Sequence, residues 1–122
     1  CDQVRYFMMD AVSFGGDGDF SDEALITTIN SKLANELGNL LYRTLSFSHK
    51  HVGDGVPPPQ QPLLEADEEM LAAAKALLPQ LRGVVQDFAL HRYTQSVSSV
   101  VQMGNQYIDV QAPWALRKTD PA

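Results

Sequence analysis

The sequence predicts an all-α protein, a helical bundle formed by one domain. Three observations support this prediction: apolar residues recur at helical spacing in four stretches, segments rich in glycine or proline divide those stretches, and we find neither an internal repeat nor a confident strand. The 122 residues are 44% apolar and 20% charged, a composition typical of a globular domain that buries a core.

The first two predicted helices lie on either side of a glycine-rich connector. Residues 2–12 predict a short amphipathic helix, and residues 14–20, with three glycines and two aspartates, predict a turn. Ser21 is the predicted N-cap of a long helix that continues to about residue 47, because carboxylates follow in its first turn. The apolar stripes predicted to be buried are Val4, Phe7, Met8 and Ala11 on the first helix, and Ile26, Ile29, Leu33, Leu37, Leu40, Leu41 and Thr44 on the second.

A proline-rich loop separates the long helix from a third predicted helix. Residues 51–62 hold two glycines and four prolines, and they predict a long exposed loop that is stiffened over residues 56–62. The third helix is expected from about Ala66, where an acidic run suits the positive end of the helix dipole. Pro79 is predicted to kink or split this helix.

The last predicted helix follows Leu90 and ends at Ala112 and Pro113, which leaves Trp114 just beyond it. Its apolar stripe is Val97, Val100, Val101, Gly104, Tyr107 and Ile108. Trp114 has two interpretations at this position. A lone tryptophan after a helix often closes a core, because it buries up to about 250 Å² of surface, but it can also offer a flat face to an unstacked base.

Charge limits the kinds of partner that this chain can bind. The net charge of −6 and the pI near 4.8 argue against binding nucleic acid by broad electrostatic attraction, so any RNA contact must be local. The stretch from residue 30 to residue 50 is the better RNA face, because Lys32, Arg43 and Lys50 there outnumber Glu36. No apolar run approaches the roughly 20 residues that cross a bilayer, so we expect no membrane partner.

The start of the chain and its one cysteine carry weaker information. Cys1 excludes an internal disulfide and agrees with a reducing compartment, for which the cytoplasm is the default and the mitochondrion the alternative. The chain has no initiator methionine and enters a helical pattern directly, so we expect it to be a segment of a longer protein.

Other candidate sites have simpler explanations. The connector from Gly15 to Asp19 matches neither a P-loop nor an EF-hand, and a plain turn explains it. His49 and His51 lack acidic or sulfur partners at suitable spacing and are expected to face solvent, so we predict no metal site. His91 has no neighbouring nucleophile, so no catalytic residue is predicted.

Asn39 and Arg43 are the strongest polar candidates. They lie four residues apart, with Asn35 one turn earlier, and helical geometry places all three on one outward face of the long helix. They are either ordinary polar residues on a solvated face or, if the last helix packs alongside, part of one site with Trp114. An amide, a forked guanidinium and an aromatic ring together can hold an unstacked RNA base.

The chain resembles the C-terminal part of the methionyl-tRNA synthetases, a family of class I aminoacyl-tRNA ligases. The matching blocks are Asp2-Gln3-Val4-Arg5-Tyr6-Phe7, then Phe14-Gly15-Gly16-Asp17-Gly18-Asp19-Phe20-Ser21, then residues 29–41, and finally Tyr107-Ile108-Asp109 with Ala112-Pro113-Trp114. The Asp-Gly-Asp-Phe-Ser block selects methionine among the related synthetases. The resemblance implies a helical anticodon-binding domain over residues 21–122, preceded by the end of a connecting region over residues 1–20.

In this family an Asn-x-x-x-Arg pattern and the tryptophan of Ala-Pro-Trp contact the CAU anticodon, which implies anticodon binding by Asn39, Arg43 and Trp114. The implied partners are methionine tRNA and the catalytic domain of the same enzyme, present in the same chain or as a separate one. The family's His-x-Gly-His and Lys-Met-Ser-Lys-Ser signatures do not occur in these residues. The resemblance therefore implies that ATP, with Mg, binds in the catalytic part of the whole enzyme and that this segment alone is inactive.

Two functions follow from these observations. The first is recognition of the methionine tRNA anticodon within a methionine-tRNA ligase. The alternative is a helical protein-interaction module that kept the fold and lost RNA binding, an interpretation motivated by the acidic net charge and the Pro-rich loop. The alternative places Trp114 in the core.

Overall fold

The structure is a computed structural model that describes residues 1–122 apart from 14, 19, 53, 54, 57, 60, 61 and 120–122. Its helices are α1 (Asp2–Ala11), α2 (Asp22–Thr28), a π-helical segment (Ile29–Gly38), α3 (Asn39–His51), α4 (Glu65–Gln86), α5 (Leu90–Gln111) and α6 (Pro113–Thr119). No strand occurs among the described residues. The predicted all-α class is confirmed.

The connector and the start of the long helix follow the sequence prediction. Gly15 has φ of +79°, a backbone angle that glycine adopts without strain, and the backbone N–H of Gly16 donates to the carbonyl of Ser13 at 3.0 Å. Positions 14 and 19 of the predicted turn lie outside the described residues. Ser21 caps α2, because its hydroxyl accepts a hydrogen bond from the backbone N–H of Ala24 at 3.1 Å.

The long helix is continuous but not uniform. The junction residues Thr28 and Asn39 both have α-helical angles, so α2, the π-helical segment and α3 form one rod from Asp22 to His51. It ends about one turn later than residue 47, the predicted end. The ten π-helical residues, Ile29–Gly38, were not predicted, because periodicity read at 3.6 residues per turn assumes i to i−4 hydrogen bonds throughout.

The π-helical segment changes which residues are covered. Leu33 and Leu40 are half-buried, whereas Leu37 between them is exposed. Ile26, Leu41 and Thr44 are exposed too. The prediction of one continuous buried stripe is therefore wrong for this chain. A wider helical turn rotates the residues that follow it, so the sequence spacing no longer maps Leu37 and Leu41 onto the face of Leu33. Ile26 precedes the π-helical segment, and its exposure has no such explanation.

The predicted effect of Pro79 is also corrected in part. Helix α4 runs unbroken from Glu65 to Gln86 with Pro79 inside it, so the helix is not split. Asp67 supports its first turn by accepting a hydrogen bond from the backbone N–H of Leu64 at 2.9 Å. Of the predicted loop 51–62, His51 belongs to α3, and five positions lie outside the described residues.

Helix α5 organises the bundle, because it packs against α1, the π-helical segment, α3 and α4. The residues of its predicted stripe are all buried or half-buried, which confirms that prediction. Near its start, Thr94 is 4% exposed and donates to the carboxylate of Asp10 on α1 at 2.8 Å. Lys32 donates to the same carboxylate at 2.6 Å, so a partly buried polar cluster joins α1 to the bundle.

Much apolar surface stays uncovered. Among the described residues, Phe7 and Leu81 are the buried hydrophobic side chains, and the first helix leaves Val4, Met8 and Ala11 exposed. The predicted burial of those three residues within this chain is wrong. In the described part of the chain, no helix is both long enough and apolar enough to span a membrane.

Gly104 marks a close approach between helices. A Cβ atom at this position would lie 3.1 Å from Cδ2 of Leu40 and 3.6 Å from Cε of Met70. We expect Gly104→Val to weaken the bundle by about 1 to 3 kcal/mol, because extra methyl groups must push α3 and α4 away. Hydrogen exchange of the α3 to α5 amides in the full-length protein measures this loss. Gly83→Val is the matched control, since a Cβ at Gly83 meets nothing within 4 Å, and equal effects at both positions would contradict the prediction.

Candidate nucleic-acid interface

Arg43 connects the long helix to the far end of α5. Its guanidinium forms an ion pair with the carboxylate of Asp109, and its side chain is 26% exposed. The guanidinium carbon also lies 5.3 Å from the centre of the Trp114 ring, within the range of a cation–π contact. The structure thus brings Arg43 and Trp114 together, and it corrects the expectation that Arg43 points outward into solvent.

Trp114 lies in a short helix that the sequence analysis missed. Ala112 adopts left-handed angles, with φ of 41° and ψ of 59°, and ends α5 there. The chain then restarts as α6 with Pro113 in its first position, where a proline's missing N–H and restricted φ suit a helix start. Pro113 was interpreted only as a stop, although a proline can both end one helix and begin another.

The ring of Trp114 is available to a ligand in this chain. The side chain is 44% exposed, so the alternative that places it in the core does not hold for the described residues. Packing against Arg43 restricts the ring from one direction, and the left-handed turn at Ala112 sets the angle at which α6 leaves α5. The result is a flat aromatic surface at the end of the bundle.

Asn39 is exposed one turn before Arg43, and among the described residues its side chain has no hydrogen-bond partner. Tyr42 is 72% exposed beside it. Asn35 is exposed too, but it lies in the π-helical segment, where the spacing used to align it with Asn39 does not apply. Sequence reasoning therefore placed Asn39 correctly in solvent but cannot place Asn35 on the same face.

Helix α5 holds the π-helical segment just before Asn39. The carboxylate of Glu36 accepts hydrogen bonds from Ser98 at 2.8 Å and from Gln102 at 3.0 Å. The Asn105 amide donates to the backbone carbonyl of Glu36 at 3.1 Å. These contacts turn the Glu36 charge towards α5, and they fix the position of the first turn of α3.

An apolar cleft of about 320 Å³ lies between α3 and α6. Its lining residues are Arg43, Thr44, Phe47, Ser48, Val52, Ile108, Pro113 and Trp114. This volume is at the lower end of the range for small-molecule sites and is large enough for one planar base. Polar groups at the rim and aromatic walls are the features expected of a site for an unstacked base.

Positive charge is concentrated at this end of an acidic chain. The last turn of α3 holds His49, Lys50 and His51, and the last turn of α6 holds Arg117 and Lys118. His51 is half-buried rather than solvent-facing as predicted: its ring centre lies 4.6 Å from that of Phe47, and Arg117 contacts the imidazole. Sequence analysis missed Arg117 and Lys118, because they become neighbours of α3 only through α6.

The remaining histidines form no site of their own. No cluster of three or more His, Cys, Asp or Glu side chains suited to a metal occurs among the described residues. His91 is half-buried, and its Nδ1 atom has no hydrogen-bond partner in the described part of the chain.

Tyr107 on α5 fastens α4 to the bundle by donating to the carboxylate of Asp67. This hydrogen bond and, secondarily, burial raise the pKa of Tyr107 to about 12. The same bond, aided by the backbone N–H of Leu64, lowers the pKa of Asp67 below its ordinary value of 3.8. The fold therefore favours the protonated phenol and the ionised carboxylate.

This pair gives the bundle a defined pH dependence. Its contribution through Tyr107 is complete below pH 10 and is lost as the pH rises from 10 towards about 12. Its contribution through Asp67 is lost as the pH falls through the lowered pKa of that carboxyl. We expect an ultraviolet titration to show late tyrosinate formation that Tyr107→Phe reduces and the control Tyr42→Phe leaves in place. Burial also raises the pKa of Tyr6, so part of the late phase remains in both variants. A late phase of the same amplitude in Tyr107→Phe as in the unsubstituted protein would contradict the assignment.

Comparison with known proteins first defines the class. Residues 1–45 match the family described as tRNA synthetases class I (M). The crystal structure of the free state of Mycobacterium tuberculosis methionyl-tRNA synthetase superposes with a TM-score of 0.93 at 44% identity, over 98% of this chain and 24% of that one. The structure of the same enzyme bound by methionyl-adenylate also gives 0.93. The fold is that of a segment of a class I aminoacyl-tRNA synthetase.

The curated relatives name the member of that class. The chain is 44% identical over 119 residues to the methionine–tRNA ligase of Mycobacterium tuberculosis, a match that covers 98% of this chain and 23% of that enzyme. It is 46% identical over 121 residues to the ligase of Brucella suis, covering 99% and 23%. The chain belongs to the methionyl-tRNA synthetase family, and it spans about a quarter of the length of these relatives.

Proposed function

We propose that this segment recognises the anticodon of methionine tRNA through Asn39, Arg43 and Trp114, as part of an enzyme that joins methionine to its tRNA with ATP. The observation that carries the proposal is the exposed Trp114 ring held beside Arg43 at the mouth of an apolar cleft. Membership of the methionyl-tRNA synthetase family supports it. The ATP site belongs to the catalytic part of the enzyme, beyond this segment.

The three side chains have different tasks in this proposal. Stacking on Trp114 contributes about 1 to 3 kcal/mol for one base and tolerates any base, because every base has a π face. Asn39 supplies an amide with both donors and an acceptor, and Arg43 supplies a forked donor. Discrimination therefore comes from the polar pair, and the ring supplies affinity.

Asp109 prepares Arg43 for this task. Its carboxylate engages one side of the guanidinium, which fixes the orientation of the remaining N–H donors. Since Asp109 is itself largely exposed, the pair stays close to solvent and is available to a ligand at the cleft. The guanidinium of Arg43 is thus oriented before RNA binds, which lowers the entropy cost of binding.

An isolated anticodon stem-loop tests the proposal on the full-length enzyme. A stem-loop carrying CAU should compete with methionine tRNA, and a copy with an altered anticodon should compete at least tenfold less well, a difference of about 1.4 kcal/mol. Equal competition by both stem-loops would contradict anticodon recognition. That result would favour the protein-interaction module instead.

A further inference from the structure

A second cleft adjoins the one that Trp114 shares with Arg43. Its volume is about 410 Å³, and its lining residues are Phe47, His51, Trp114, Arg117 and Lys118. Phe47 and Trp114 also line the first cleft, so the two lie side by side across the end of α3. A ligand stacked on Trp114 would extend naturally into the second cleft.

The charges of the two clefts differ in one respect. In the first cleft the Arg43 charge is balanced by Asp109. In the second, neither Arg117 nor Lys118 pairs with a carboxylate of the described residues, and Arg117 instead contacts the imidazole of His51. Two cations that lack acidic partners among the described residues therefore face one cleft on a chain whose net charge is −6.

The aromatic wall beside these cations is also organised. The rings of Phe47 and His51 lie 4.6 Å apart between centres, at an angle of 60°. The guanidinium of Arg117 also contacts the His51 imidazole. A cationic groove with aromatic walls is the usual means of gripping single-stranded nucleic acid, because the cations follow the backbone while the rings contact the bases.

We propose that the second cleft binds the sugar-phosphate backbone of the nucleotide next to the base stacked on Trp114, with Arg117 and Lys118 neutralising its phosphate. This inference rests on the proposed function, since it takes the stacked base as its starting point. A phosphate contact carries no base identity. The second cleft therefore adds affinity that depends strongly on salt and adds no anticodon discrimination.

The test measures salt dependence in the full-length enzyme. Dissociation constants for methionine tRNA, an anticodon-altered copy and the isolated CAU stem-loop are measured over a range of salt concentrations for Arg117→Gln/Lys118→Gln. The slope of log K against log salt should become shallower by about 0.7, the value for one phosphate contact to a single strand. Affinity for the two tRNAs should fall by the same factor, because only backbone contacts are lost.

The control is Lys75→Gln/Arg82→Gln, which removes the same charge from exposed positions on α4. Arg82 lines a cleft together with Tyr93. Tyr93 lies 18 residues before the end of α5, a distance of roughly 27 Å along the helix. The control therefore changes the overall charge at a distance from the site. A slope change equal to that of the control would contradict phosphate binding in the second cleft. So would a slope change seen with whole tRNA and not with the stem-loop. Equal binding of both tRNAs by the unsubstituted enzyme would overturn the proposed function itself.

Discussion

Trp114→Ala is expected to weaken binding of methionine tRNA to the full-length enzyme by roughly 5- to 150-fold, the range that corresponds to about 1 to 3 kcal/mol of lost base stacking. The ring is 44% exposed and does not close the core of this chain, so the loss should come from the ligand contact and not from unfolding. Filter binding or fluorescence titration with the tRNA measures the affinity. Circular dichroism reports whether the helices are intact.

Two further substitutions of Trp114 distinguish the effect of aromatic stacking from the effect of side-chain volume. Trp114→Phe keeps an aromatic face and should recover much of the affinity, whereas Trp114→Leu keeps apolar volume without a π face and should not. Equal affinities for these two variants would show that Trp114 acts only as a spacer. Unchanged affinity in Trp114→Ala, with the helices intact, would favour the interaction module.

Asn39→Ala and Arg43→Gln are expected to reduce affinity for methionine tRNA by roughly tenfold or more each, at about 1.4 kcal/mol per tenfold. Affinity for an anticodon-altered tRNA should change less, so that discrimination falls. The reason is that an amide and a forked guanidinium distinguish bases by their pattern of donors and acceptors. Arg43→Lys should not restore discrimination, because an ammonium group lacks the fork. Titration of both tRNAs against each variant gives the ratio directly.

Two controls accompany these variants. Asn35→Ala removes an exposed asparagine from the same rod, and it should have little effect because the π-helical segment breaks its alignment with Asn39. Arg43→Gln leaves the Asp109 carboxylate without its partner, which could repel RNA on its own account. The double variant Arg43→Gln/Asp109→Asn removes that charge. Affinity for both tRNAs that returned in the double variant would show that repulsion, and not a lost contact, caused the effect.

Local structure was predicted correctly where it depends only on residues that are close together in the sequence. The N-cap at Ser21 needs only its own hydroxyl and the next turn, and the apolar stripe of α5 needs only regular helical spacing. The π-helical segment Ile29–Gly38 was not predicted, because a period of 3.6 residues assumes regular α-helical hydrogen bonds. Helix α6 was missed since its seven residues are too few to show a period.

For the candidate site, the sequence predicted the residues but not their contacts. Residue types and spacing were enough to select Asn39, Arg43 and Trp114, because the hydrogen-bonding and stacking capacity of an amide, a guanidinium and an indole does not depend on their position in the fold. They could not show that Arg43 turns inward to Asp109, or that Arg117 reaches His51, since each pair is separated by 66 positions along the chain. By itself the sequence determined an all-helical chain of the methionyl-tRNA synthetase family. Only the tertiary structure decided which side chains share a cleft, because that depends on how α5 and α6 pack on the long helix.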